Sequence, residues 1–200
     1  MKKVAIYGGS FNPIHLAHVK LADYAVYELE LDELYFMPTF VSPFKQDKKM
    51  AERKDRLAMI ESVLDYNPKF KLSDYEIDNE NVSYTIKTLD YFSKELDAKL
   101  YYVVGFDALL TLDTWYRGEE ILNKYSLITA KRPDSSEIEA LTKINSFIRK
   151  YNSKIHILDM PEMDISSSDI RNRIKNGKSI KELVLPATEE YIIEHNLYRD

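Results

Sequence analysis

Short apolar runs alternate along the chain with longer stretches whose apolar residues recur every three or four positions. Val4-Ala5-Ile6-Tyr7 is a compact apolar run ending at Gly8-Gly9, the pattern of a buried strand. Residues 16–30 carry Leu16, Val19, Ala22, Tyr24 and Val26 at spacings that fit a helix. Leu34-Tyr35-Phe36-Met37 reads as a second strand, stopped by Pro38. Residues 39–49 hold Pro43 and a Lys-rich turn and read as a loop, and residues 50–66 as a helix that stops before Pro68. Phe70-Lys71-Leu72 is a third strand, residues 83–97 a helix, and Leu100-Tyr101-Tyr102-Val103-Val104 a strand ending at Gly105. A strand at 125–130, a helix at 136–151 and a strand at 154–158 follow, and helices at about 167–175 and 186–195 close the chain.

This alternation predicts an α/β fold: a doubly wound, mostly parallel sheet with helices on both faces and a short helical C-terminal segment. Nothing along residues 1–200 marks a linker or repeat, so the expectation is a single domain. Sheets of this kind bind ligands at the carboxyl ends of their strands. Three motifs fall at such ends: Gly8-Gly9-Ser10, Gly105-Phe106-Asp107 and Lys131-Arg132-Pro133.

Composition narrows the chemistry. With no Cys, disulfides, thiolate catalysis and Cys-ligated metal are excluded. A formal net charge of −5 argues against nucleic acid or an anionic membrane as partner. No apolar run approaches a membrane span, and the N-terminus has no signal-peptide pattern. A cytoplasmic protein is expected. An anionic substrate would need a local cluster of donors.

One candidate cluster is Gly8-Gly9-Ser10-Phe11-Asn12-Pro13-Ile14-His15-Leu16-Ala17-His18. It joins a strand to a helix. Glycines let backbone approach a ligand, and a helix N-terminus offers N–H groups to an anion. His15 and His18 share a helix face and can donate to phosphate. A zinc pair is the weaker alternative, because no Cys exists and no acidic residue lies a helical turn away. The second cluster is Ile165-Ser166-Ser167-Ser168-Asp169-Ile170-Arg171. Three hydroxyls and a guanidinium at a helix start make a polyphosphate grip, while helix capping explains a Ser there equally well.

These two segments resemble the GxFxPxHxxH and ISSxxIR-type signatures of the nucleotidyltransferase superfamily of adenylyl- and cytidylyltransferases. Over essentially its whole length the chain is similar to the bacterial nicotinate-mononucleotide adenylyltransferases. Supporting segments include Pro43-Phe44-Lys45, Arg56-Leu57-Ala58-Met59, Ser83-Tyr84-Thr85, Thr114-Trp115-Tyr116 and the tail from Tyr191 to Tyr198. The resemblance implies transfer of the adenylyl group of ATP to nicotinate mononucleotide, with Mg²⁺ brought in on the ATP phosphates and no metal site in the chain itself. It implies catalytic roles for His15, His18, Lys45 and Arg171. ATP would be held by Gly8, Gly9, Ser10, Phe11, His15, His18, Gly105, Asp107, Arg132, Ser166, Ser167, Ser168, Ile170 and Arg171. The mononucleotide would be held by Lys45, Ser83, Tyr84, Thr85, Trp115 and Tyr116. Two positions depart from the family pattern: Asn12 stands for the usual Asp, and Phe44 for the His of a Pro-Pro-His-Lys loop.

A phosphate monoester is mostly dianionic at neutral pH, its second pKa being ~6, so the nucleophile needs no base. No catalytic carboxylate and no covalent intermediate are expected. Trp115, the only Trp, lies among polar neighbours and can offer a ring face to a cationic pyridinium. Competing readings are a pantetheine-phosphate adenylyltransferase, a nucleotide-binding regulatory module without turnover, and a DNA-binding protein. The sequence is compatible with a homo-oligomer and does not specify one.

Overall fold

The computed structural model of the chain describes residues 1–40, 50–78, 82–131 and 137–199. Six strands form one sheet in the order β3-β2-β1-β4-β5-β6: β1 (Lys2–Gly9), β2 (Glu33–Pro38), β3 (Phe70–Leu72), β4 (Ala98–Val103), β5 (Ser126–Ala130) and β6 (Lys154–Leu158). Every neighbouring pair is parallel. The chain winds outward from β1 to β3, then crosses to β4 on the other side of β1 and winds outward again. Crossovers between parallel strands are right-handed, so reversing the winding direction moves the helices to the opposite face.

The strand period of two sorts the core accordingly. Ala5, Tyr7, Phe36, Tyr101 and Val103 face one cluster, which buries α1 (Leu16–Glu28), α2 (Arg53–Glu61), α8 (Ser167–Lys175) and α9 (Pro186–Glu194). Val4, Ile6, Leu100, Tyr102 and Leu127 face the other. That cluster takes α4 (Thr85–Glu95), α5 (Phe106–Leu110), α6 (Gly118–Lys124) and α7 (Glu137–Tyr151). Val4, Ala5 and Phe36 are fully buried. Burying a Val or Phe side chain fully is worth about 1.5–3 kcal/mol over its exposed form.

The doubly wound expectation holds, and the differences lie in short elements. The helix expected at 50–66 is shorter, Arg53–Glu61, followed by a 3₁₀ turn at Leu64–Tyr66. The short helix α3 (Tyr75–Asp78), α5, a 3₁₀ turn at Leu112–Thr114 and α6 were not anticipated. Most are too brief to show a 3.6-residue period, and the polar neighbours of Trp115 read from sequence as a loop. The loop expected at 39–49 falls at 41–49 outside the described residues.

α3 brings in a buried acid. Glu76 is only 7% exposed. Its Oε1 accepts from the Thr88 hydroxyl at 2.6 Å. Burial pushes its carboxyl above the ordinary range, and hydrogen bonds from Thr88 and Ser83 offset this only in part. The folded state therefore holds this proton more tightly than the unfolded chain does. Its contribution to stability is best below the ordinary carboxylate pKa and declines as pH rises through the folded-state value. Glu76→Gln removes that titration. The stability of the variant relative to wild type should rise as pH climbs above the ordinary carboxylate range. Urea unfolding at a series of pH values measures the difference, and a flat or falling one would contradict the assignment.

Candidate active site

The site is built where β1 and β4 end side by side and their connections depart to opposite faces. β1 finishes at Gly8-Gly9. A Cβ on Gly8 would sit 3.0 Å from the Tyr102 hydroxyl, and one on Gly9 would press on the Phe11 ring at 3.0 Å. A side chain at either position would have to push Tyr102 or Phe11 aside by a few tenths of an ångström. Phe11 takes φ 43°, in the left-handed region, and turns the chain toward α1. Its side chain is 1% exposed and belongs to the core, so any contact it makes with a ligand comes from its backbone.

His15 is the N-cap of α1, and its ring is nearly buried. Its backbone N–H donates to His18 Nδ1 at 3.3 Å. With Nδ1 acting as acceptor, the proton of a neutral His18 ring sits on Nε2. The two imidazoles stack at 3.6 Å, tilted by 26°. The edges of Tyr7 and Phe11 pack on His18 at 5.9 and 5.2 Å between ring centres. The ring pair is thereby held from several sides.

α8 supplies the opposite jaw, and its three hydroxyls have separate duties. Ser166 is the N-cap and accepts from the Asp169 N–H at 3.1 Å. Ser167 donates to the Pro13 carbonyl at 2.9 Å. Ser168 accepts from Arg171 Nη2 at 3.2 Å, and Arg171 Nη1 donates to the Asn12 carbonyl at 2.7 Å. Capping accounts for Ser166, while Ser167 and Arg171 tie α8 to the glycine-rich loop. Ile170 is fully buried beneath them, so its side chain faces the core and not the ligand side. A further clamp comes from Arg56, 3% exposed, which donates to the Ser10 and Thr39 carbonyls at 3.1 and 2.7 Å. Burial lowers its pKa from the ordinary arginine value.

An aromatic wall stands across from the histidines. Tyr84 and Tyr116 rings meet at 4.6 Å. Trp115 is half-buried against the second core cluster. The Gly118 N–H donates to the Trp115 carbonyl at 2.9 Å and closes a tight turn, with Arg117 at φ 53°. A Cβ on Gly118 would overlap the Leu112 carbonyl oxygen, so only glycine permits this turn. The Arg117 guanidinium clamps Glu120 through two bonds of 2.6 Å and holds its carboxyl down at about 2. The buried Tyr102 hydroxyl is pushed above its usual range by desolvation, against a bond with the Thr85 side chain.

These walls enclose a cavity of about 750 Å³. It brings together Gly8, Gly9, Ser10, His15 and His18 with Ser166, Ser167, Ser168 and Arg171. Ser83, Tyr84, Thr85, Trp115 and Tyr116 also line it, as do Gly105 and Asp107. A Cβ on Gly105 would meet nothing within 4 Å, so the protein's own packing does not demand glycine there. Its bareness leaves room in the cavity. Lys45 and Arg132 lie outside the described residues. Tyr102, Thr39, Met160 and Met163 also line the cavity and were not anticipated. Tyr102 carries an ordinary strand signature in sequence, and the two methionines sit in an irregular segment with no period to interpret. Among the described residues no group of three His, Asp or Glu side chains is placed to hold a metal ion, and no helix is long and apolar enough to cross a membrane.

Comparison with known proteins agrees with this geometry. The cytidylyltransferase-like family matches residues 6–173. A protein of Caldicellulosiruptor saccharolyticus named "Probable nicotinate-nucleotide adenylyltransferase" is 40% identical over 99% of this chain and 100% of its own length. One of Clostridium novyi bearing the same name is 38% identical over the full length of both. Among solved structures, the Plasmodium falciparum nicotinic acid mononucleotide adenylyltransferase complexed with NaAD superposes with a TM-score of 0.82 at 24% identity. That match covers 99% of this chain and 98% of that one, and it shows a shared fold. With a family match over most of its length and full-length relatives well above 30% identity, the chain belongs to the cytidylyltransferase-like family and, within it, to the nicotinate-nucleotide adenylyltransferases.

Proposed function

We propose that the chain transfers the adenylyl group of ATP to the phosphate of nicotinate mononucleotide, releasing pyrophosphate and forming nicotinate adenine dinucleotide for NAD biosynthesis. The observation that carries this reading is one cavity joining the His15–His18 helix start and the Ser166–Arg171 helix start to the Thr85–Trp115–Tyr116 wall. Its volume of about 750 Å³ lies within the range for a bound organic ligand, roughly 300–1,000 Å³.

A phosphate oxygen of the mononucleotide attacks the α-phosphorus of ATP as the bond to the β-phosphate bridging oxygen breaks. The nucleophile is already anionic, so the chain's work is alignment and compensation of charge. His18 is oriented by the His15 N–H, which directs its protonated Nε2 away from the backbone and toward the ligand phosphates. Arg171 presents a planar guanidinium at the other jaw. Lys45 and Arg132, which lie outside the described residues, are the further cations this reading assigns to the phosphates. Asp107 and the bare Gly105 face the ATP ribose. Magnesium neutralises the polyphosphate when bound. In this reading the ion would come in on the ATP phosphates, and no side chain is assigned to it.

The pyridinium ring stacks on Trp115. Thr85 is the first residue of α4, so its N–H is among those a helix leaves without an internal acceptor. The Tyr116 N–H lies inside the tight turn closed by Gly118. Two backbone donors suit a carboxylate and leave a carboxamide NH₂ unmatched. The acid substrate is therefore preferred over the amide.

Pyrophosphate release from ATP with nicotinate mononucleotide, nicotinamide mononucleotide or phosphopantetheine offered separately tests the assignment. Turnover with phosphopantetheine alone, or with none, would remove it. His18→Ala should lower kcat roughly 100-fold at saturating ATP, with a much smaller change in the KM for the mononucleotide. Near-wild-type turnover would deny His18 its role. Trp115→Ala should weaken kcat/KM for both mononucleotides by a similar factor, roughly 5- to 30-fold, and leave the acid preference intact. Loss of one substrate only would show that Trp115 meets the ring substituent.

A further inference from the structure

The C-terminal tail reaches back into the glycine-rich loop. After α9 the chain turns through Asn196 at φ 50° and Tyr198 at φ 62°. The Tyr198 hydroxyl then donates to Asn12 Oδ1 at 2.8 Å, across 186 residues of sequence. The same oxygen accepts from the Ala51 N–H at 3.0 Å. The Asn12 carbonyl takes Arg171 Nη1 at 2.7 Å. Asn12 is 4% exposed, so these acceptors are saturated inside the protein and not by bulk water. One residue thus fastens three distant segments to the loop: the tail, the start of the α2 region and α8.

Both ends of this link are strained. Phe11 immediately before Asn12 and Tyr198 itself occupy the left-handed region, which costs an aromatic residue free energy and persists only where surrounding contacts impose it. α9 anchors the tail independently, since the Tyr191 hydroxyl donates to Asp55 Oδ1 at 3.0 Å. The Tyr198 contact is therefore not needed to attach the helix. What it adds is a fixed position for Asn12, three residues before His15. Burial keeps the Tyr198 hydroxyl protonated well past its ordinary range, so it remains a donor.

We propose that Tyr198 is a positioning residue for adenylyl transfer: through Asn12, its hydroxyl sets the angle at which the loop presents His15 and His18 to the ligand phosphates, in register with Arg171. The proposal rests on the functional reading above. Asn12 supplies an oxygen acceptor, which an Asp at the same position would also offer.

The test is a mutant cycle in the pyrophosphate-release assay with ATP and nicotinate mononucleotide, run well below the thermal midpoints of all variants. Tyr198→Phe keeps the ring and removes only the donor. It should lower kcat roughly tenfold while the KM for the mononucleotide moves less than about threefold. In an Asn12→Asp background, where the acceptor is kept, Tyr198→Phe should cost the same factor. In an Asn12→Leu background it should cost less than about twofold, because the contact is already gone. If Asn12→Leu does not fold, the first two comparisons decide. A Tyr198→Phe protein as fast as an active wild type would overturn the link alone, as would an equal cost in the Asn12→Leu background. A wild type without turnover on these substrates would instead overturn the functional reading and this proposal with it.

Discussion

Parallel pairing on both sides of β1 forces the chain to leave every strand at the same edge of the sheet. The helices that follow must then divide between the two faces once the winding direction reverses between β3 and β4. Between β1 and β4 the outgoing segments diverge, and no crossover can cover the opening. The cavity lies at that divergence, with the loop after β1 on one side and α5 after β4 on the other. Its location is a consequence of topology, and side chains decide only what it can hold.

What they provide is local charge in a molecule that is acidic overall. The net charge is −5, yet His15, His18, Lys131 and Arg171 line the cavity against a single described carboxylate, Asp107. Long-range attraction from the whole protein would not bring a polyphosphate here, since the Debye length in physiological salt is about 8 Å. Capture depends on groups within that distance. Two of these donors are fixed by bonds to backbone, through His18 Nδ1 and Arg171 Nη1. Little reorganisation is left to pay when charge develops on the leaving group.

The sheet and both motifs that line the cavity are legible in the sequence because each is a local signal. The strand at 4–7 ends in glycines, the Ser run precedes a helix start with Arg171 in its first turns, and the period of two sorts residues to faces. Shorter structure was hidden. α5, α6 and the Trp115–Gly118 turn span few residues each, and Gly118 is explained only by its closeness to the Leu112 carbonyl. Arg56 was visible as part of a family segment, but its clamp on the Ser10 and Thr39 carbonyls needs residues far apart in the chain. The same holds for Tyr102, whose apolar strand pattern gives no hint that its hydroxyl closes one wall beside Gly8. Phe11 and Ile170 show the reverse case. They sit inside the recognised motifs yet pack in the core, so a motif marks a segment and not the direction of every side chain in it.

The serines at the start of α8 show how a motif can hold itself together and still have groups left to offer a ligand. A hydroxyl has one proton to donate and lone pairs to accept. Ser166 and Ser168 use acceptor capacity within the protein, on the Asp169 N–H and the Arg171 guanidinium, and so retain a proton for an incoming oxygen. Ser167 gives its proton to the Pro13 carbonyl and keeps acceptor capacity instead. A phosphate oxygen accepts, so Ser166 and Ser168 are equipped to meet it while Ser167 holds the two jaws together. Capping and anion binding were alternatives for this run when only residue types were known. Hydrogen-bond direction removes the conflict, because the same side chain that caps a helix with its lone pair can address a phosphate with its proton.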